Sequence, residues 1–67
     1  MILTAVLTPD PDGGYVAYNP ETGTTTQGDS VADAVSNLKE ATELYLEEFP
    51  FDAPAPSLMT TFEVAHA

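Results

Sequence analysis

The chain has 67 residues, with one basic side chain (Lys39) against eleven acidic ones, and a formal net charge of −10. A single Lys cannot neutralise a phosphate backbone and release its counterions, so direct nucleic-acid binding is disfavoured, and an anionic membrane surface is disfavoured for the same reason. There is no Cys and only one His, His66, which removes disulfides and makes a conventional zinc site a poor fit.

A domain this small hides only about 60% of the surface its unfolded chain exposes, and one core of that size seldom supplies more than about 3–5 kcal/mol. One domain over 1–67 is expected, and without staples the remedy is oligomerisation as a dimer or tetramer. A basic protein is the natural electrostatic complement. The same acidity also serves to keep a small domain soluble. No segment reaches the ~18 apolar residues of a membrane span. No basic stretch precedes an apolar one at the start, so a cytoplasmic protein is expected.

In chain order, "MILTAVLT" alternates Ile2, Thr4, Val6 and Thr8 against Leu3, Ala5 and Leu7, which predicts a strand. "PDPDGG" is turn chemistry, since Gly supplies positive φ and Asp tolerates it. "YVAYN" predicts a second strand, hairpin-paired with the first. "PETG" is another turn, and the Thr-rich "TTTQ" predicts a third, partly solvated strand.

The joint "GDS" opens a helix predicted over 31–48. Ser30 is the N-cap, and Asp33 three residues on completes a capping-box pattern. Asp29 and Asp33 also put negative charge at the positive end of the helix dipole. Val31, Ala34, Val35, Leu38, Ala41, Thr42, Tyr45 and Phe49 recur at spacings of three and four as one apolar stripe. Leu44 and Leu46 fall beside it. Pro50 ends the run, because the residue before Pro avoids the helical region. "PFDAPAPS" reads as a stiff connector, and "LMTTFEVA" alternates as a last strand. The expected fold is α+β: a small antiparallel sheet with one helix on one face, in the order β-β-β-α-β.

The pattern offers little catalytic chemistry. Asp10, Asp12, Glu21 and Asp29 fall in loops, whereas acid–base work needs carboxylates in a cleft with contrasting environments. A Mg²⁺ site from Asp10, Asp12 and Asp29 is conceivable, since hard cations take carboxylate oxygens. "DPDGG" lacks the spaced ligands of a calcium loop and reads as a turn. Ser30 has no neighbouring base. The residues therefore point to an acidic interaction domain without catalytic, cofactor-binding or metal residues.

"DPDGGYVAYNPE" and "TTQGDSVADAVSNLKEATELYLEE" together resemble the HicB-like antitoxin family, formerly an uncharacterised-protein family. Gly13, Gly14, Tyr15, Val16, Ala17, Tyr18, Pro20, Glu21, Gln27, Gly28, Asp29, Ser30, Ala34, Asn37, Leu38, Glu40, Ala41, Leu44, Tyr45 and Leu46 carry the likeness. The resemblance implies a β-β-β-α-β domain similar to a reduced ribonuclease H fold, with no catalysis of its own. It further implies oligomerisation and a partner, a small basic HicA-type ribonuclease toxin whose active site the domain masks. Two features depart from the family: "ETG" stands where a Pro-Gly-Cys turn is common, and no C-terminal DNA-binding domain is expected. Under that reading the candidate partner-binding residues are Asp10, Asp12, Tyr15, Tyr18, Glu21 and Asp29, with Ser30 and Asp33 capping the helix.

Overall fold

The structure is a computed structural model and describes residues 1–52 and 55–66. Three strands and a helix follow in order: β1 (Val6–Pro9), β2 (Tyr15–Tyr18), β3 (Thr25–Gly28) and α1 (Val31–Glu48). The strands form an antiparallel sheet in the order β1-β2-β3. Register sets the faces. Leu7, Ala17 and Thr26 lie opposite one another across the sheet, as do Pro9, Tyr15 and Gly28. Period two puts both rows on the face that meets the helix, where Ala17 is fully buried with Ala34 and Leu38. Ala5, Leu7 and Tyr15 pack around those three. Val6, Thr8, Val16, Tyr18, Thr25 and Gln27 take the opposite, uncovered face.

The core is small because its parts approach closely. A Cβ on Gly28 would lie 2.7 Å from the Asp33 carbonyl carbon and 2.8 Å from Ala34 Cα. Real Cβ atoms do not come so near, so only Gly lets β3 end against the backbone of the first helical turn. Gly14 (φ +77°) is similarly confined: a Cβ there would sit 2.5 Å from the Gly28 carbonyl oxygen. Side chains then tie helix to strand. The Thr26 hydroxyl donates to the Ala34 carbonyl at 3.1 Å, and Asn37 Nδ2 donates to the Gln27 carbonyl at 2.7 Å. As a result α1 rests over β3 and β2, with little cover for β1.

The helix starts and stops as the sequence predicts. Ser30 is extended (φ −135°, ψ 168°) and its Oγ accepts the Asp33 N–H at 3.1 Å. Only this half of the capping box forms; no bond from the Ser30 N–H to the Asp33 carboxylate is present among the described residues. The Phe49 N–H closes the far end on the Tyr45 carbonyl at 2.8 Å. The apolar stripe is only partly used. Ala34, Leu38 and Thr42 are buried and Leu46, placed beside the stripe by periodicity, is half-buried, while Val31, Val35, Tyr45 and Phe49 stay exposed. Length explains the second half. Eighteen residues make about 27 Å of helix, whereas four-residue strands span about 13 Å. The last turns overhang the sheet, where Tyr45 and Phe49 stack on each other with ring centroids 5.1 Å apart.

Two strand expectations fail: the first strand, expected from Met1, begins only at Val6 and leaves residues 1–5 in no strand, and the last strand does not form. Residues 58–65 lie in no strand, and all are exposed. The alternating pattern is present, but a strand also needs a ladder partner, and no hydrogen bond joins this segment to the sheet among the described residues. The connector predicted over 50–57 crosses 53 and 54, which lie outside the described residues. No helix of the described residues is long and apolar enough to cross a membrane.

A second knot sits where β2 leaves the sheet. Asn19 is 1% exposed, yet its side chain is fully satisfied. Its Nδ2 donates to the Thr4 carbonyl and to Glu21 Oε1, both at 2.8 Å. Its Oδ1 accepts the Thr22 N–H at 2.8 Å and the Thr22 hydroxyl. The Glu21 carboxylate in turn accepts the Thr4 N–H (2.7 Å) and the Ser57 N–H (2.8 Å). Donors on three parts of the chain favour its ionised form. The Thr4 N–H bond is the largest influence, partial desolvation works against it, and Ser57 adds to it, bringing the Glu21 pKa from 4.5 to about 2.

Two outcomes follow. Gly28→Ala should cost about 2–3 kcal/mol by overpacking against backbone, most of the stability of a domain this size, read as a lower urea midpoint; an unchanged midpoint contradicts the close approach. For Glu21 the depressed native pKa means stability that is present above about pH 4.5 and is lost as pH falls towards 2. The urea midpoint of Glu21→Gln should therefore lie below wild type at pH 7 and converge with it under acid. A constant gap down to pH 2 contradicts the knot.

Candidate functional site

The fold separates the candidate residues into two poles. The 10–14 turn and the helix start share one end of the sheet; the 19–24 turn lies at the other. At the first pole Asp10, Tyr15, Asp29 and Asp33 line an open groove of about 430 Å³, with Gln27, Ser36 and Asn37 on its walls. Backbone bonds Asp10 N–H to Gly14 O and Gly13 N–H to Asp10 O, both 3.0 Å, build its rim. Asp10 is partly committed there, since its Oδ1 accepts the Asp12 N–H at 2.9 Å. The Asp12 and Asp29 carboxylates make no hydrogen bond among the described residues and face solvent.

The two tyrosines do not share a surface. They are three residues apart on one strand, so Tyr15 faces the helix side and Tyr18 the open sheet face, where it is 42% exposed. Glu21 is at the far pole, with its carboxylate engaged by Thr4, Asn19 and Ser57. It holds the chain together there. Asp10, Tyr15 and Asp29 are thus brought together, Asp12 stands at their edge, and Tyr18 and Glu21 do not join them. Asn19, the hub of the second pole, is absent from the expected residues. Its only signal is "NPET", an Asx-type turn with a Thr three residues on, and its long-range partner Thr4 leaves no trace in local sequence.

Chemically the groove presents carboxylates and amides around a phenol ring. Asp29 and Asp33 flank the helix N-terminus and gain from its dipole, and with Asp10 they set a negative field towards solvent. Among the described residues no cluster of three or more His, Asp or Glu side chains could hold a metal ion, so Asp10, Asp12 and Asp29 are not gathered as ligands. The arrangement suits recognition of cationic side chains.

Comparison with known proteins places the chain. It is 37% identical over 73 aligned positions to a UPF0150 protein of Helicobacter pylori (strain J99 / ATCC 700824), covering all of both chains. It is 45% identical over 47 residues to the UPF0150 protein ssl0738 of Synechocystis sp. (strain ATCC 27184 / PCC 6803 / Kazusa), covering 69% of this chain and 65% of that one. A second Synechocystis relative, UPF0150 protein ssr1765, is 44% identical over 45 residues, with 66% and 57% covered. No protein-family model matches the chain, and no solved structure does. Identity that runs the full length of both chains, on this strand and helix pattern, makes the protein a member of the uncharacterised UPF0150 family.

Proposed function

We propose that the domain is an acidic protein-interaction module of the antitoxin type, which binds and masks a small basic HicA-type ribonuclease. The HicB-like resemblance supplies the partner class. The observation that carries the reading is the groove at the helix start, where Asp10, Asp29 and Asp33 surround Tyr15 and no basic residue offsets them. A chain with net charge −10 and a single Lys is complementary to a cationic nucleic-acid-binding face, and that complementarity speeds encounter and fixes orientation. Tyr15 offers the groove an aromatic anchor of the kind enriched in interfaces. Asp12 and Asp29 contribute as steering charges. Glu21 enters this reading as a support for the fold, and Tyr18 as part of a separate face. The reading assigns the domain no catalysis; masking alone would silence the partner.

A second reading, a homo-oligomeric domain without a toxin, draws support from the exposed Leu58, Met59, Phe62 and Val64.

The test is binding to a purified HicA-type ribonuclease at low and physiological salt. Wild type should bind more weakly as salt rises. Asp12→Lys/Asp29→Lys should lose at least tenfold in affinity at low salt, with the helix signal in circular dichroism unchanged. Equal affinity of variant and wild type at low salt would overturn the assignment of this groove.

A further inference from the structure

The β1 half of the helix-facing surface is left open. Helix α1 covers β3 and β2, and Asn37 closes on the Gln27 carbonyl at the β3 side. On the β1 side, Met1–Ala5 and the helix residues Val35, Leu38, Thr42 and Leu46 flank a groove of about 600 Å³. The Thr42 hydroxyl there is buried without a partner. Thr4 turns its N–H and carbonyl inward, to Glu21 and Asn19. Residues 1–5 lie outside β1 and in no strand, and no hydrogen bond of the Leu3 or Ala5 backbone is present among the described residues, which leaves those groups able to pair with another chain.

A segment with the alternation of a strand leaves the molecule beside Met1–Ala5. Ser57 is fastened to it: its N–H donates to Glu21 Oε2 at 2.8 Å and its carbonyl accepts the Thr4 hydroxyl at 3.1 Å. Beyond it, Leu58 is 97% exposed, Met59 57%, Phe62 84% and Val64 65%. The radius of gyration is 13.7 Å, against about 11 Å for a compact chain of this length. The segment therefore projects as an arm, and its alternating residues match a ladder.

We propose that residues 58–64 of one copy dock along Met1–Ala5 of a second copy, in a reciprocal exchange that seats the apolar side chains of each arm in the groove of the other. Exchange of an identical element is a low-cost route to a symmetric dimer. The area is sufficient. Alternation puts Leu58, Phe62 and Val64 on one side of the arm; covering these three removes on the order of 400 Å² per arm, so two arms and their receiving faces reach the ~1,200–2,000 Å² of stable interfaces. Two copies of charge −10 repel, so added salt should strengthen this association, whereas it should weaken binding to a basic partner. The inference does not rest on the antitoxin reading.

The chain has no cysteine, which allows a direct test. Ile2→Cys/Met59→Cys changes two exposed positions and is treated with a short bismaleimide that tolerates small differences in register. The expected product is a chain-to-chain linked dimer on a denaturing gel. A link within one chain, identified by mass spectrometry, or no link at all, overturns the proposal. Sedimentation equilibrium of the full chain gives a second readout. Wild type should be dimeric at micromolar concentration and tighten with salt. Leu58→Asp/Phe62→Asp, at positions 97% and 84% exposed in the single chain, should be monomeric with an unchanged helix signal. A monomeric wild type or a dimeric variant also overturns it.

Discussion

Gly28 meets the first helical turn backbone to backbone, and the rest of the fold is arranged around that contact. Because no Cβ intervenes, α1 comes down directly over Ala17, and small residues suffice to fill the gap: Ala17 below, Ala34 above, with Leu38 beside them. A larger side chain at position 28 would lift the helix and open a void that nothing nearby could fill. The Ser30 cap, the Thr26–Ala34 bond and the Asn37–Gln27 bond all hold the same joint. A core of three buried apolar side chains is close to the lower limit for independent folding, so polar ties carry an unusual share of the order.

The Asn19 knot has a different purpose. It fixes residues that belong to no strand or helix. Thr4 and Ser57 are 53 residues apart in sequence, and they meet because Glu21 accepts from both. The knot thereby sets where the 58–65 segment leaves the molecule, beside Thr4. One pole of the domain is thus a rigid negative groove and the other an anchored apolar arm.

Much of this could be read from the chain itself, where signals are local. The helix bounds follow from Ser30 and Pro50, each sufficient by its own chemistry, and three strands follow from alternation between Gly- and Pro-rich turns, although the first starts at Val6 and not at Met1. The misreadings all involve distance. Phe62 and Val64 have strand periodicity, but periodicity does not supply the neighbour a strand needs. Tyr45 and Phe49 lie on the apolar stripe, yet the sheet beneath is too short to reach them. Glu21 looks like a free loop acid until Thr4 and Ser57 are brought to it, and Asn19 shows its role only once Thr4, Glu21 and Thr22 surround it. Tyr15 and Tyr18 share a motif, and the two-residue period of the strand sends them to opposite faces.

Amide hydrogen exchange on the native protein tests most directly whether the Gly28 joint organises the domain. The account predicts the slowest exchange in β2 and over Ala34–Thr42, with the amides of Ala34 and its neighbours as protected as any in the chain and with faster exchange in the overhanging turns from Tyr45 on. Rapid exchange at the helix start, with protection centred on the last turns, would contradict it.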